Sequence, residues 1–87
     1  MYLHLGNDVV VRSRDIIGIF DMENTTVSKL TRQFLADAQK GGRVVDITAD
    51  LPKSFIVCEH NGDETVYISQ ISAATLRGRA KQRMKNL

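Results

Sequence analysis

Residues 55–68 read FIVCEHNGDETVYI, with an apolar run on each side of Asn61-Gly62. Asn-Gly is the strongest short-range signal for a two-residue β-hairpin, because both positions of that turn require positive φ. The turn then fixes which residues face each other on the two strands: Phe55 and Ile68, Val57 and Val66, Cys58 and Thr65. One face of the hairpin is therefore fully apolar, and Ile56 with Tyr67 makes the other face partly apolar.

A first helix is expected to cover one of these faces. Apolar residues recur at helical spacing between a polar segment and a glycine pair, at Val27, Leu30, Thr31, Phe34, Leu35 and Ala38. We expect the helix to begin near Thr25 or Thr26, whose hydroxyls favour helix starts. It should end at Gly41-Gly42, because glycine accepts the left-handed conformation of a C-cap. The other face of the hairpin is left for a partner subunit to cover.

The rest of the chain adds short strands and a final helix. Strands are predicted at 2–5, 9–11, 16–20 and 43–48. Ser72 is predicted to cap the last helix, with apolar positions at Ala73, Leu76, Ala80 and Met84. The chain is therefore expected to be α+β, in the order β-β-β-α-β-β-β-α. We predict a small, mostly antiparallel sheet with one packed helix and a basic C-terminal helix.

The size of the chain favours self-association. Its 87 residues allow one domain, and a monomer of this size buries only about 60–65% of the surface of its unfolded chain. Small proteins are commonly stabilised by disulfides, metals or oligomerisation. Cys58 is the only cysteine, and with His4 and His60 it cannot supply the four ligands of a zinc site. We therefore expect a homo-oligomer with no metal and no cofactor.

Several features predict a soluble, cytoplasmic protein. A single unpaired cysteine is typical of a reducing compartment. The N-terminus, Met1-Tyr2-Leu3-His4, lacks the basic start and long apolar run of a signal peptide. No apolar stretch reaches the length of a membrane span, so no membrane partner is expected.

Charge is distributed unevenly along the chain. Residues 77–87 carry five of the twelve Lys/Arg and none of the ten Asp/Glu, which gives this segment a net charge of +5 and leaves −3 for residues 1–76. We therefore divide the chain into a compact α+β domain, residues 1–76, and a basic helical tail, residues 77–87. Such a tail favours an anionic partner, although a solvated terminal helix has the same composition.

The basic residues outside the predicted core are the candidates for binding phosphates. Arginine and lysine are the usual contacts to DNA phosphates, and they give affinity without specifying sequence. The predicted DNA-binding residues are Arg12 and Arg14 in a bend between strands, Lys53 in the turn before the hairpin, and Arg77, Arg79, Lys81, Arg83 and Lys85 in the tail. Ordinary surface charge is the alternative explanation.

The residue pattern does not support catalysis. Cys58 and His60 fall on the same side of their strand, but catalysis would require an exposed thiol and a third group to orient the imidazole. A buried cysteine and a solvated turn histidine explain the pair better, since free cysteine is among the most often buried residues. We therefore predict no catalytic residues and a protein that is not an enzyme.

Several segments together resemble the RemA/RemB family of bacterial extracellular-matrix regulators. They are Tyr2–Gly6, Asp15–Asp21, Glu23–Thr26, Val44–Asp46, Leu51–Phe55, Val66–Ser69 and Ala74–Leu76, and their order and spacing cover nearly the whole chain up to the basic tail. The resemblance implies a regulator of matrix gene expression in biofilm-forming, largely Gram-positive bacteria. For the RemA branch it also implies a ring-shaped homo-oligomer with a DNA-binding fold like that of LytTR domains.

The chain departs from the RemA branch at one turn. That branch carries arginines before its later strands, where this chain has Asp50-Leu51-Pro52-Lys53. Arg14 lies next to the other basic position of that branch and is followed at once by Asp15. Two functions therefore remain open. The chain either binds the DNA backbone as an oligomer or acts as a protein-interaction module that assembles with a related regulator.

Overall fold

The computed structural model describes residues 1–22 and 28–85, with side chains up to Lys81. The elements are β1 (Tyr2–Gly6), β2 (Val9–Arg12), a 3-10 turn (Ser13–Asp15), β3 (Ile16–Asp21), α1 (Lys29–Lys40), β4 (Val44–Asp46), β5 (Ser54–His60), β6 (Asp63–Ser69) and α2 (Ala73–Lys85). The α+β class and the order of strands and helices are confirmed. The predicted helix start at Thr25 or Thr26, and Val27 of the predicted stripe, lie outside the described residues.

The strands form two sheets. β1 and β2 pair with each other as a separate antiparallel hairpin, while the other strands form a four-stranded sheet in the order β3-β5-β6-β4. Within this sheet β4 runs parallel to β6, and the remaining pairs are antiparallel. Among the residues that the structure describes, β3 is therefore an edge strand, with no strand beside one side of its backbone.

The β5–β6 hairpin has the register that the sequence predicts. Phe55 faces Ile68, Val57 faces Val66 and Cys58 faces Thr65. The turn residues Asn61 and Gly62 have φ of 52° and 85°, as a two-residue hairpin turn of this kind requires.

α1 covers the fully apolar face of the hairpin. Ser28 caps this helix, because its Oγ accepts a hydrogen bond from the backbone N–H of Thr31 at 3.1 Å. Ala38 is fully buried against Phe55, Val57 and Val66, and Phe34 and Leu35 pack at the margin. The helix ends at Lys40, before the predicted glycine pair, and Gly42 has a positive φ of 70°.

Leu30 departs from the predicted buried stripe. Its side chain is 80% exposed. The first turn of α1 lines the side of a cleft whose floor includes Phe55 and Val57, and it does not close over that floor. The expectation that Leu30 is buried is therefore wrong.

The second face of the hairpin is covered by the chain itself. Leu3, Leu5 and Val11 of the β1–β2 hairpin and Leu76 of α2 form one buried cluster with Ile56 and Cys58. The molecule thus has three layers: α1, the four-stranded sheet, and a layer made of the β1–β2 hairpin and α2. The expectation that this face needs a partner subunit is wrong, because both ends of the chain meet on it.

α2 begins as predicted and runs across the expected boundary between residues 76 and 77. Ser72 Oγ accepts a hydrogen bond from the N–H of Thr75 at 3.1 Å. Ala73 and Leu76 are buried, and Ala80 packs against the same core, whereas the side chain of Met84 lies outside the described residues. In the described part of the chain, neither helix is long and apolar enough to cross a membrane.

Two buried serines join the layers. Ser69 Oγ donates to the carbonyl of Leu5 at 2.7 Å and accepts from the N–H of Ile71 at 3.0 Å. Ser54 faces Ser69 across the hairpin and donates to the carbonyl of Ile71 at 2.7 Å. These bonds fix the segment between β6 and α2, and with it the direction in which α2 leaves the sheet.

Candidate nucleic-acid interface

Three of the predicted basic residues lie along the edge strand β3. Arg14 is exposed in the 3-10 turn that leads into the strand. Arg77 reaches its middle, where Nη2 donates to the carbonyl of Ile19 at 2.7 Å. Lys53 lies at the far end, because its own carbonyl accepts from the N–H of Met22 at 2.9 Å. The six residues of β3 span about 20 Å at roughly 3.3 Å per residue. The backbone of Lys53 continues β5, on the paired side of β3. We call this set of three cations the β3 edge.

The fold explains why Arg77 reaches this strand. The side chain of Leu76 is fully buried in the core, so α2 is held against the sheet at that turn. Its neighbour on the helix surface, Arg77, is then within reach of the exposed edge of β3. A guanidinium has five N–H donors, and among the described residues Arg77 makes one side-chain hydrogen bond. Arg77 is exposed, so its remaining donors are accessible from solvent.

The rest of the predicted tail continues along α2. Arg79 is exposed, and its Nη1 makes a long contact of 3.4 Å with the carbonyl of His4 on β1. Lys81 is exposed, and its side chain has no ion pair or hydrogen bond within the described residues. Arg83 and Lys85 lie on the last turns of α2, although their side chains are outside the described part. Cations at this end complement the negative C-terminal end of the helix dipole.

Arg12 belongs to a different surface. It is the last residue of β2, faces Tyr2 across the β1–β2 hairpin, and is half-buried at a polar groove. This groove has a volume of about 450 Å³ and is also lined by Asp15, Cys58, His60 and Tyr67. The side chain of Arg12 has no hydrogen bond or ion pair among the described residues. The structure thus separates Arg12 from the β3 edge, although only one residue lies between it and Arg14 in sequence.

The polar groove contains the Cys58–His60 pair considered for catalysis. Both residues line it, as strand alternation predicts, and Asp15 Oδ2 lies 3.2 Å from His60 Nδ1. Burial, with a smaller effect of the Asp15 charge, raises the pKa of the Cys58 thiol to about 11. The thiol is therefore protonated near neutral pH, whereas a nucleophilic cysteine needs a lowered pKa. No hydrogen bond joins the thiol to the imidazole within the described residues.

The turn at Asp50–Lys53 contributes one cation to the candidate interface. Leu51 is 77% exposed, and Asp50, Pro52 and Lys53 are exposed as well. The backbone of the turn is tied at its end, where the N–H of Lys53 donates to the carbonyl of Ser69 at 2.9 Å. Within the described residues, no group of three or more His, Cys, Asp or Glu side chains is arranged to hold a metal ion.

Two contacts of the site were not expected from the sequence. Asp15 and His60 are 45 positions apart in sequence, and their contact depends on how the 3-10 turn meets the end of β5. The contact of Arg77 with Ile19 spans 58 positions. For both contacts the local sequence indicated only that the side chains are charged, and charge alone does not identify the residue that a side chain contacts.

Comparisons with known proteins place the chain in a family. Residues 2–80 match the RemA-like family model, described as extracellular matrix regulatory protein A-like. The chain is also 40% identical over 81 residues to Extracellular matrix regulatory protein B of Bacillus subtilis strain 168, covering 93% of this chain and 91% of that protein. The match extends over nearly all of the fold, from β1 to the middle of α2. The chain therefore belongs to the RemA-like family of extracellular matrix regulatory proteins.

Proposed function

We propose that this chain is a non-enzymatic regulator of extracellular-matrix gene expression that binds the DNA backbone as a homo-oligomer. The observation that carries the proposal is the β3 edge, where Arg14, Arg77 and Lys53 are distributed along the edge strand β3 over about 20 Å. That distance corresponds to about six successive phosphates of one DNA strand, measured along the helix axis at roughly 3.4 Å each. A role in gene expression also places the chain in the cytoplasm.

α2 extends the same basic surface. Lys81, Arg83 and Lys85 follow Arg77 and Arg79 on one continuous helix, and residues 77–87 contain no acidic residue. Contacts of this kind recognise phosphate charge and leave the bases unread, so they give affinity without strong sequence preference. A single copy offers few such contacts. Repetition of the same surface in an oligomer would make the whole assembly bind far more tightly than one copy, because each later contact forms at high effective concentration.

The proposal is tested by fluorescence anisotropy of a long DNA duplex against the purified protein, at low and at physiological salt. Truncation at residue 77 is a poor variant, because it removes Arg77 and Ala80, which hold α2 on the body. The better variant is the triple substitution Lys81→Gln, Arg83→Gln and Lys85→Gln, which retains the length of the helix. We expect salt-sensitive binding by the native chain and a weaker, less salt-sensitive interaction by the triple variant. No binding by the native chain at low salt would refute the proposal.

The second candidate function is a protein-interaction module that assembles with a related regulator and does not itself contact DNA. One observation favours it: Arg77 and Arg79 already donate to backbone carbonyls of the body, at 2.7 and 3.4 Å. If the two arginines serve to hold α2 on the body, replacing both by Gln should lower the free energy of unfolding and leave any affinity for DNA unchanged. Loss of DNA affinity at unchanged stability would instead favour phosphate binding.

A further inference from the structure

We infer that the polar groove, which lies between the β1–β2 hairpin and the free end of the β5–β6 hairpin, binds a small zwitterion: an α-amino acid with an apolar side chain. Arg12 would hold the carboxylate of this ligand and Asp63 its ammonium group. The groove shares no residue with the β3 edge, so the inference goes beyond the proposed function and does not depend on DNA binding.

One wall of the groove is formed by two rows of side chains on the β5–β6 hairpin. Asp63, Thr65 and Tyr67 alternate along β6, so their side chains lie on the same face of the sheet. His60 pairs with Asp63 across the hairpin, and Cys58 pairs with Thr65. The β1–β2 hairpin packs on this face at Cys58, whereas His60 and Asp63, nearer the turn, are exposed. The polar end of this face is therefore left open to a ligand.

The wall formed by the β1–β2 hairpin carries the guanidinium of the groove. Arg12 is half-buried, and its side chain makes no hydrogen bond or ion pair among the described residues. No carboxylate oxygen of Asp15 or Asp63 therefore lies within 4.0 Å of its guanidinium nitrogens. Opposite charges thus line one groove without touching, and a partly buried guanidinium gains from a partner. A ligand carboxylate suits it, because guanidinium and carboxylate can form two parallel hydrogen bonds.

The charges of the groove favour a ligand that carries both signs. One guanidinium shares the groove with two carboxylates, Asp15 and Asp63. A phosphate would gain the contact with Arg12 but would lie beside two negative charges, and a simple cation would be repelled by Arg12. Asp15 is already in contact with His60 at 3.2 Å, whereas the side chain of Asp63 has no partner among the described residues. Asp63 is therefore the carboxylate that is available to an ammonium group.

Neutral groups complete the site. The hydroxyls of Thr65 and Tyr67 make no hydrogen bond among the described residues. Burial is the largest of the effects that raise the pKa of Tyr67, so its hydroxyl stays a proton donor near neutral pH. Tyr2 and Val10 also line the groove and are 53% and 50% exposed, which offers apolar surface to the side chain of the ligand. The volume of about 450 Å³ is within the range of small-molecule sites, about 300–1,000 Å³.

The test is an NMR titration of the isotope-labelled full chain with L-leucine and L-phenylalanine. We expect saturable shifts that cluster at the residues of the groove, with dissociation constants of about 0.1–10 mM, because a small ligand in an open groove makes few contacts. Two analogues of leucine each lack one charge: 4-methylpentanoate has no amino group, and 3-methylbutylamine has no carboxylate. Each should bind at least about 10-fold more weakly than leucine, since each loses one charged contact. Inorganic phosphate should not displace leucine.

Variants assign the two charged contacts. Arg12→Gln and Asp63→Asn remove no internal side-chain contact among the described residues, so the fold should be kept, and each should weaken leucine binding at least about 10-fold. The matched controls are Arg32→Gln, on α1, and Glu59→Gln, on the other face of β5. Both should bind leucine like the native chain.

Four results would each overturn the inference: no saturable shift in the native chain with either amino acid, shifts that cluster away from the groove, unchanged affinity in Arg12→Gln or Asp63→Asn, and equal affinity for leucine and 4-methylpentanoate. DNA binding by the β3 edge uses other residues and is measured separately by anisotropy. The failure of one proposal is therefore distinguishable from the failure of the other.

Discussion

Replacing Arg14 by Gln should reduce both the affinity for DNA and its dependence on salt. Arg14 is exposed in the turn before β3 and has no ion pair or hydrogen bond within the described residues. The substitution therefore removes a positive charge without removing an internal contact. Each phosphate contact contributes about 0.9 to the slope of log affinity against log salt. Three contacts at the β3 edge of one copy would give a slope of about −2.7, which is a loss of about 40-fold in affinity between 50 and 200 mM salt.

With Arg14 replaced, the slope should fall by about 0.9 for each copy that contacts the duplex. The ratio of native to variant affinity should then shrink about 3.5-fold per contact over the same salt range. Anisotropy titrations of one duplex at four or five salt concentrations measure both slopes. Arg32→Gln is the matched control, because Arg32 is an exposed arginine on α1, in the opposite layer of the molecule. Equal slopes for all three proteins would refute the assignment of Arg14, and an equal reduction by Arg32→Gln would show that only net charge matters.

Three further predictions concern the fold that carries these surfaces. Ser69→Ala removes two hydrogen bonds of a fully buried hydroxyl and leaves the Leu5 carbonyl and the Ile71 N–H unpaired. Urea denaturation should therefore show that the free energy of unfolding falls by about 2–4 kcal/mol. A decrease below about 0.5 kcal/mol would contradict this account. Gly62→Ala should lower the free energy of unfolding by about 1–2 kcal/mol, because Gly62 has a positive φ of 85°. Gly78→Ala, in α2 with open space around it, should raise it by about 0.5–1 kcal/mol. A change of the same sign in both variants would exclude the backbone explanation. Because burial raises the pKa of the Cys58 thiol from 9.0 to about 11, the folded state holds this proton more tightly than the unfolded chain. Its contribution to the free energy of unfolding should be constant below pH 9 and decrease between pH 9 and 11, and Cys58→Ala should remove that part of the decrease when unfolding is measured across this range.

The parts of the fold that the sequence predicts best are those fixed by neighbouring residues. The Asn61-Gly62 turn is determined by two adjacent residues, and once it forms, the pairing of Phe55 with Ile68 follows from counting along the strands. The caps of α2 and the glycine end of α1 are likewise local. These features need no knowledge of the rest of the chain.

The second face of the hairpin is covered through contacts between residues that are far apart in sequence. Leu5 and Ser69 are 64 positions apart, and their contact brings β1 against the segment that leads into α2. Apolar alternation in β1 shows that Leu3 and Leu5 share a face, but it does not say which surface they meet. The sequence could therefore establish that cover was needed and could not identify its source. The parallel pairing of β4 with β6 also joins residues that are far apart in sequence, so it could not be predicted from local pattern either.

For the candidate site, the sequence supplied the set of basic residues and the structure supplied their grouping. Arg12 and Arg14 are separated by one residue, yet one lines the polar groove and the other leads into β3. Arg14 and Arg77 are 63 positions apart and lie along the same strand. Counting charged residues in the sequence cannot make this distinction, because the grouping of the arginines depends on how the 3-10 turn and α2 are positioned against the sheet.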